Sequence, residues 1–257
     1  MLGGVNSKSL VYNSFNLDKE LTQVNPVDAL TSGKIKKSDV GKTVYLSNGA
    51  ALCQEWLIAD VNHDGIANTI DLISKYVFVT NMNYGSNDAQ TPCMYEDSIP
   101  HSKMRGYLSY FDKNVVANLC DISVKANGYY HVGSLNESSI QTFKIHMPSI
   151  TELGYGTGNS LDASYQLRCC VEEGSVYPLF DRNSTSNGNP LCKRTAAAGD
   201  SRSYWARSCA TYLHGSYAIQ DRVGEYYIDE DGRYNISSNF YQAESFSAIA
   251  IIRFTSR

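Results

Sequence analysis

The sequence predicts a single loop-rich domain built around β-hairpins, and three observations support this prediction. An apolar run at residues 56–59, a polar turn at residues 62–65 and a β-prone run at residues 69–80 have the pattern of a hairpin, with Asp-Gly as its turn signal. Residues 226–236 repeat this pattern around a second Asp-Gly pair. A length of 257 residues suits one such domain with an N-terminal extension.

The first 45 residues show little core-forming pattern. Short apolar pieces alternate with polar stretches, and Asn25-Pro26 and Ser32-Gly33 interrupt them with turn signals. We interpret residues 1–45 as an N-terminal arm that attaches the protein to others, and residues 46–257 as the folded domain. The alternative is that a first strand and a helix at residues 26–30 pack onto that domain.

The first hairpin segment also admits a second interpretation, as a calcium loop. A dockerin-type loop needs oxygen ligands at its positions 1, 3, 5, 9 and 12 and a glycine at position 6. Gly65 takes the glycine position, and the ligand positions are held by Asp60, Asn62, Asp64, Asn68 and Asp71. A dockerin would repeat the loop and continue as a helix, whereas this loop occurs once and residues 76–80 favour a strand. We therefore expect a hairpin and no cofactor, with a calcium-dependent dockerin-like interaction module as the alternative.

Further blocks follow this hairpin in a recognisable order. A helix-forming block at residues 102–119 precedes a strand-then-helix block at residues 143–154, an aromatic-Trp-x-Arg-Ser signature and a closing strand at residues 249–254. The signature residues are Trp56, Trp205, Arg207, Ser208, Arg253 and Phe254. Over about residues 40–257 this order resembles an uncharacterised domain family of phage and gut-bacterial proteins with a C-type-lectin-like fold.

The resemblance implies an α+β fold. The expected architecture is a C-type-lectin-like domain with a twisted antiparallel sheet, two helices and long loops, preceded by the N-terminal arm. Variable receptor-binding proteins of phages and formylglycine-generating enzymes are similar in fold to this family, so the fold alone does not determine function. Loops on such a scaffold are where binding diversity resides.

The segment between residues 204 and 241 is rich in tyrosine, serine and asparagine. Antibody paratopes favour these residue types, because tyrosine offers a rigid ring with a hydroxyl while serine and asparagine supply adaptable hydrogen bonds. The related receptor-binding proteins carry their variable surface in this region. Our predicted ligand-binding residues are Tyr212, Tyr217, Tyr226, Tyr234, Asn235, Asn239 and Tyr241. Strand alternation would instead bury some of these tyrosines.

Composition and charge disfavour several classes of partner. Charged residues make up 19% of the chain and the net charge is −4, so no basic surface for nucleic acid or an anionic membrane is expected. No apolar run approaches the length of a membrane span, and the N-terminus lacks the pattern of a signal peptide. We therefore expect synthesis and assembly in the host cytoplasm, without membrane insertion.

Catalysis finds little support in the sequence. The five histidines are scattered, and Glu172-Glu173 is typical of a solvated turn. The seven cysteines are odd in number and show no repeated spacing, which favours buried free thiols over disulfides or a zinc site. A formylglycine-type enzyme would need a cysteine pair near the C-terminus, where only Cys209 occurs. We expect no enzymatic activity, and such an enzyme is the third hypothesis.

The family resemblance, together with these observations, favours a bacteriophage virion protein. The first hypothesis is a structural protein of the head (decoration or fibre) or tail that displays a lectin-like domain and binds a host-surface glycan or protein. Its expected partners are other virion proteins through the arm, the host ligand, and further copies of the chain, because several weak sites together raise avidity.

Overall fold

The computed structural model describes residues 26–47, 53–77, 79–84, 95–127, 138–155, 173–180, 188–197, 199–212, 222–237 and 246–256. Within these residues the fold is α+β, as predicted, with short helices and several largely antiparallel sheets. The helices are α1 (Pro26–Thr31), α2 (Ile99–Tyr107) and α3 (Lys113–Asn118). The strands are β1 (Thr43–Ser47), β2 (Cys53–Val61), β3 (Thr69–Ser74), β4 (Val79–Met82), β5 (Ile122–Asn127), β6 (Ser138–Phe143), β7 (Ile145–His146), β8 (Tyr204–Tyr212), β9 (Arg222–Ile228), β10 (Tyr234–Ser237), β11 (Phe246–Ala248) and β12 (Ile251–Thr255).

The first sheet has the strand order β1-β2-β3-β12-β7, and all its neighbouring strands are antiparallel. The predicted hairpin is confirmed as β2 and β3, which pair from Trp56 opposite Ser74 to Val61 opposite Ile70. The return strand ends at Ser74 rather than at Thr80, and Val79 begins β4 in another sheet. The C-terminal strand β12 lies inside this first sheet, so the two ends of the described chain share one core.

The second sheet has the order β10-β9-β8-β11-β4. The second predicted hairpin is confirmed as β9 and β10 around the Asp-Gly turn at residues 229–232. One pair, β8 with β11, is parallel and meets where Tyr204 faces Ser247. Behind this sheet the buried Trp205 donates from Nε1 to the carbonyl of Met82 at 2.8 Å, and its ring packs edge-on against Phe246.

The third sheet is the β5–β6 hairpin, and α2 contacts β7 of the first sheet and β4 of the second. α2 begins where Ser98 Oγ accepts a hydrogen bond from the amide of His101 at 3.2 Å, which satisfies one of the unpaired donors of its first turn. One 3-10 turn (Leu108–Tyr110) separates α2 from α3. The helical block predicted at residues 102–119 is therefore two short helices.

Three expectations need correction. α1 packs against β1, β12 and α3, and its residues Val27 and Leu30 are buried, so residues 26–45 belong to the folded domain as the alternative interpretation held. The described residues contain three helices and three sheets rather than two helices on one sheet. The segment at residues 150–154 is a turn rather than a helix. Residues 1–25 lie outside the described part.

Membrane-spanning helices are not found in the described residues, because none of their helices is both long and apolar enough.

We predict that α1 is needed for stability, because Leu30 is fully buried in the main apolar core. Leu30→Ala should lower the free energy of unfolding by about 2–5 kcal/mol, the usual cost of such a cavity. The matched control is Leu191→Ala, since Leu191 is exposed. Urea denaturation measures both variants, and equal losses would place α1 outside the cooperative unit.

We also predict a pH dependence of stability from His101. The imidazole lies between the rings of Tyr95 and Phe143 with both nitrogens unpaired, and burial together with the nearby Arg105 lowers its pKa to about 4. Because the unfolded pKa is about 6.5, the unfolded chain binds the proton more tightly. This contribution to stability is therefore present above pH 6.5 and is lost as the pH falls toward 4.

The test is denaturation of wild type and His101→Phe between pH 7.5 and 4.5. The variant keeps the aromatic packing and should lose about 2 kcal/mol less stability than wild type by pH 4.5. Parallel curves for the two proteins would contradict the prediction. Some acid sensitivity persists in both, because burial also lowers the pKa of His146.

Candidate functional site

A pocket of about 300 Å³ lies between the β2–β3 turn and the β5–β6 hairpin. Its polar wall carries the charged or hydroxyl side chains of His63, Tyr177, Arg207, Arg253 and Glu152. On its other side the β5–β6 hairpin lines the pocket with three apolar residues and two polar ones: Ile122, Val124, Ile140, Ser123 and Lys125. We call this feature the His63 pocket.

The β2–β3 turn directs His63 inward. Asn62 and Asp64 have the positive φ angles of 61° and 53°, a conformation that asparagine, aspartate and glycine tolerate best. The turn closes through Asn62, whose amide donates to the carbonyl of Thr69 at 2.8 Å and whose side-chain oxygen accepts from the amide of Thr69 at 3.3 Å. As a result His63 is only 3% exposed although its neighbours in the turn are exposed.

His63 is held on two sides and open on the third. Its Nδ1 lies 2.9 Å from Asp60 Oδ2, and its ring stacks on Tyr177 with centroids 3.9 Å apart. Nε2 is buried without a hydrogen-bond partner, 3.6 Å from the nearest oxygen of Asp64. Burial opposes the charged form, but the hydrogen bond to Asp60 and the nearby carboxylates outweigh it and raise the pKa of His63.

Tyr177 connects His63 to a buried ion pair. Its hydroxyl donates to Asp71 Oδ2 at 3.0 Å, while Nε and Nη2 of Arg253 donate to the two Asp71 oxygens at 2.5 and 2.6 Å. Burial raises the pKa of the Asp71 carboxyl, and the hydrogen bonds from Arg253 oppose that shift. The pair joins β3 to β12 and fixes the floor of the pocket.

A second buried ion pair forms the rear of the pocket. Nη1 and Nη2 of Arg207 donate to the two oxygens of Glu152 at 2.6 and 2.7 Å. The same guanidinium donates to the carbonyls of Met147 and Glu173 at 2.8 and 2.9 Å. Ser208 Oγ contacts the Glu173 carboxylate. Strand β8 is therefore bonded both to the turn that carries Glu152 and to the segment that carries Glu173.

Gly174 allows the pocket wall to approach this ion pair. Its φ is +98°, and a Cβ at this position would lie 2.6 Å from Glu152 Oε1. Any side chain there would push the Glu152 carboxylate away from Arg207.

The predicted ligand-binding set is only partly described. Tyr234 is half-buried, with its ring edge-on to Tyr155 at 5.2 Å, and Asn235 donates to Asp229 Oδ2 at 2.9 Å. Tyr212 and Tyr226 lie on β8 and β9, but their side chains are outside the described part, as are all of Tyr217, Asn239 and Tyr241. The described pair helps to hold the β9–β10 hairpin, and the binding role of the set stays a prediction.

Three of the five residues of the calcium pattern make other side-chain hydrogen bonds in the structure. Asp60 bonds His63 and its own neighbouring amide, and Asp71 is engaged by Arg253 and Tyr177. Asn62 closes the turn, while Asp64 and Asn68 are exposed. Across the described residues no three side chains among His, Cys, Asp and Glu are grouped to hold a metal ion.

The six signature residues are all buried: Trp56, Trp205, Arg207, Ser208, Arg253 and Phe254. The predicted solvated turn at Glu172-Glu173 is wrong for Glu173, which is fully buried. The thiols of Cys120 and Cys192 are free, and the Cys209 side chain is outside the described part. His63 was not among the site residues predicted from the sequence. The spacing of His63 from Asp60 within a tight turn was the pattern that could have indicated it.

No protein-family model, curated protein sequence or solved structure matches this chain. Any functional proposal therefore depends on the geometry of the chain's own residues.

We predict that Gly174→Ala disrupts the Arg207–Glu152 pair. The matched control is Gly199→Ala, because Gly199 has a similar φ of +101° but no atom within 4 Å of its would-be Cβ. The control should cost about 1–2 kcal/mol from backbone strain alone, whereas Gly174→Ala should cost about 2–4 kcal/mol more because a buried pair is broken. Urea denaturation measures the difference, and equal losses would show that Glu152 relocates freely.

Proposed function

We propose that this chain is a non-enzymatic bacteriophage virion protein whose domain binds a glycan or protein on the host surface. The observation that carries the proposal is the His63 pocket, a concave site whose polar wall is held rigid by two buried ion pairs. Ligand sites are generally such preformed concavities with a few fixed polar groups. Two ion pairs, Arg207–Glu152 and Arg253–Asp71, supply this rigidity.

The proposed fold is C-type-lectin-like. All six residues that carry the family resemblance are buried, and two of them, Arg207 and Arg253, form the ion pairs of the pocket. The closing strand β12 lies beside the opening hairpin in the first sheet. These features support a scaffold in which the first and last strands share one sheet. Its binding groups would lie on the segments between strands.

The proposal of binding rather than catalysis is supported by the hydroxyl groups around His63. Catalytic triads place a nucleophilic hydroxyl or thiol on the free nitrogen of the base. Here Tyr177 donates to Asp71 and Ser208 contacts Glu173, and Nε2 of His63 has no hydrogen-bond partner among the described residues. A binding role uses these contacts as they stand and needs no cofactor.

Placement in the virion is the furthest part of the proposal. Residues 1–25 would attach the protein to other virion proteins. Several copies on one particle would combine weak contacts into binding of high avidity. The tyrosine-rich set remains the proposed outer contact surface, with Tyr217 and Tyr241 among its members.

The test has two measurements. Mass spectrometry of purified particles of the encoding phage should detect the chain as a stoichiometric component. The labelled protein should adhere to host cells, and the double variant Tyr217→Ala/Tyr241→Ala should lower adhesion about tenfold, as expected when two aromatic contacts are lost. Tyr110→Ala is the control, because Tyr110 is an exposed tyrosine outside the set.

Two results would overturn the proposal. One is absence of the chain from particles that infect normally. The other is no adhesion by the folded protein to cells that the particle itself infects.

A further inference from the structure

Within the part of the chain that the structure describes, two hydrogen-bonding groups on the polar wall of the His63 pocket are not engaged. Nε2 of His63 is buried and has no hydrogen-bond partner there. Nη1 of Arg253 makes no hydrogen bond within the described part of the chain, while Nε and Nη2 both bond Asp71. We propose that these two nitrogens bind one carboxylate group of an acidic ligand, such as a uronic acid sugar.

Buried polar groups are almost always paired, so the free nitrogen of His63 requires an explanation. Asp60 fixes the ring by accepting at Nδ1, which leaves Nε2 as the nitrogen available to a ligand in the pocket. When the imidazole is charged, Nε2 carries a proton and becomes a donor. Carboxylate oxygens are the acceptors that a charged imidazole and a guanidinium bond most strongly.

The charge around the pocket favours a single carboxylate over a more highly charged anion. Each cation of the polar wall already has a carboxylate partner: Arg207 has Glu152, Arg253 has Asp71 and His63 has Asp60. Asp64 at the rim adds one more negative charge. Lys125 on the hairpin also lines the pocket, and these carboxylates repel a single negative charge less than a dianion such as sulfate.

The hairpin side of the pocket offers an apolar contact for the carbon skeleton of a sugar. Ile140 on β6 is 75% exposed beside the pocket and lies across from Lys125 on the same face of the hairpin. An exposed apolar side chain next to charged groups matches a sugar ring, which has an apolar face and polar edges. A volume of about 300 Å³ is at the small end for ligand sites and fits a single ring.

This inference specifies the ligand class for the proposed binding function. It rests on that function only for the source of the ligand, which is the host surface. The experiment is isothermal titration calorimetry of the full chain at pH 6.0 with D-glucuronate, D-glucose and inorganic sulfate as probes. Glucuronate should bind at least tenfold more tightly than glucose, which carries a hydroxymethyl group in place of the carboxylate. Sulfate, a dianion at this pH, should bind more weakly than glucuronate.

Two sets of variants locate the binding. His63→Gln should weaken glucuronate binding at least tenfold. That change alters a buried site, so a second set of variants changes the exposed Ile140. Ile140→Asp adds a charge that repels the carboxylate and should weaken binding at least threefold. Ile140→Asn is its uncharged control and should not weaken binding. Thermal melting confirms that each variant is folded.

Affinity should also depend on pH, because only the protonated ring donates from Nε2. Glucuronate affinity should stay constant below the pKa of His63 and fall about tenfold per pH unit above it. The charged or titratable groups facing the ring are Asp60, Asp64, Asp71, Glu152, Tyr177, Lys125, Arg207 and Arg253. In His63→Gln this pH dependence should disappear.

Equal affinity for glucose and glucuronate, tighter binding of sulfate, or unchanged binding in both His63→Gln and Ile140→Asp would each overturn the inference. The proposed function can fail separately. Host-cell adhesion can be measured with His63→Gln and, separately, with wild type in 10 mM glucuronate, which is roughly tenfold above a millimolar dissociation constant. Undiminished adhesion in both cases would contradict the carboxylate pocket but leave the adhesion proposal standing. Specific glucuronate binding without any host-cell adhesion would do the reverse.

Discussion

The buried ion pair between Arg207 and Glu152 is the interaction on which the arrangement of the sheets depends. Arg207 lies on β8 of the second sheet, and its guanidinium also bonds the carbonyls of Met147, which follows β7 of the first sheet, and of Glu173. One side chain thus joins two sheets and two irregular segments. Removing either charge would leave the other buried and uncompensated, at a cost of about 3–5 kcal/mol.

An apolar cluster could not replace this pair without loss of geometry. Hydrophobic packing is not directional, whereas a guanidinium bonded to both oxygens of a carboxylate fixes distance and orientation together. Arg253 and Asp71 apply the same constraint between β12 and β3. Both pairs border the His63 pocket, so the groups that specify the fold also make the pocket rigid.

Local features of the fold could be predicted and distant pairings could not. The β9–β10 hairpin followed from alternation around an Asp-Gly turn, which depends only on neighbouring residues. By contrast, Glu173 beside Glu172 has the pattern of a solvated turn, but its carboxylate is buried against Ser208, 35 residues away. Likewise α1 has only six residues, too few to show a helical period, and its place in the core depends on contacts with β12.

The calcium pattern shows how one set of residues can satisfy two different requirements. Asn62, Asp64, Gly65 and Asn68 all have positive φ angles, between 53° and 73°. Asparagine, aspartate and glycine are the residues that tolerate this conformation. The turn therefore selects the same residue types at nearly the same spacing as a metal loop, for a conformational reason that needs no ion. Asp60, the apparent first ligand, is bonded to His63. The ligand spacing identifies the right turn, but the buried side chain that this turn presents to the pocket is His63, which the metal pattern does not use.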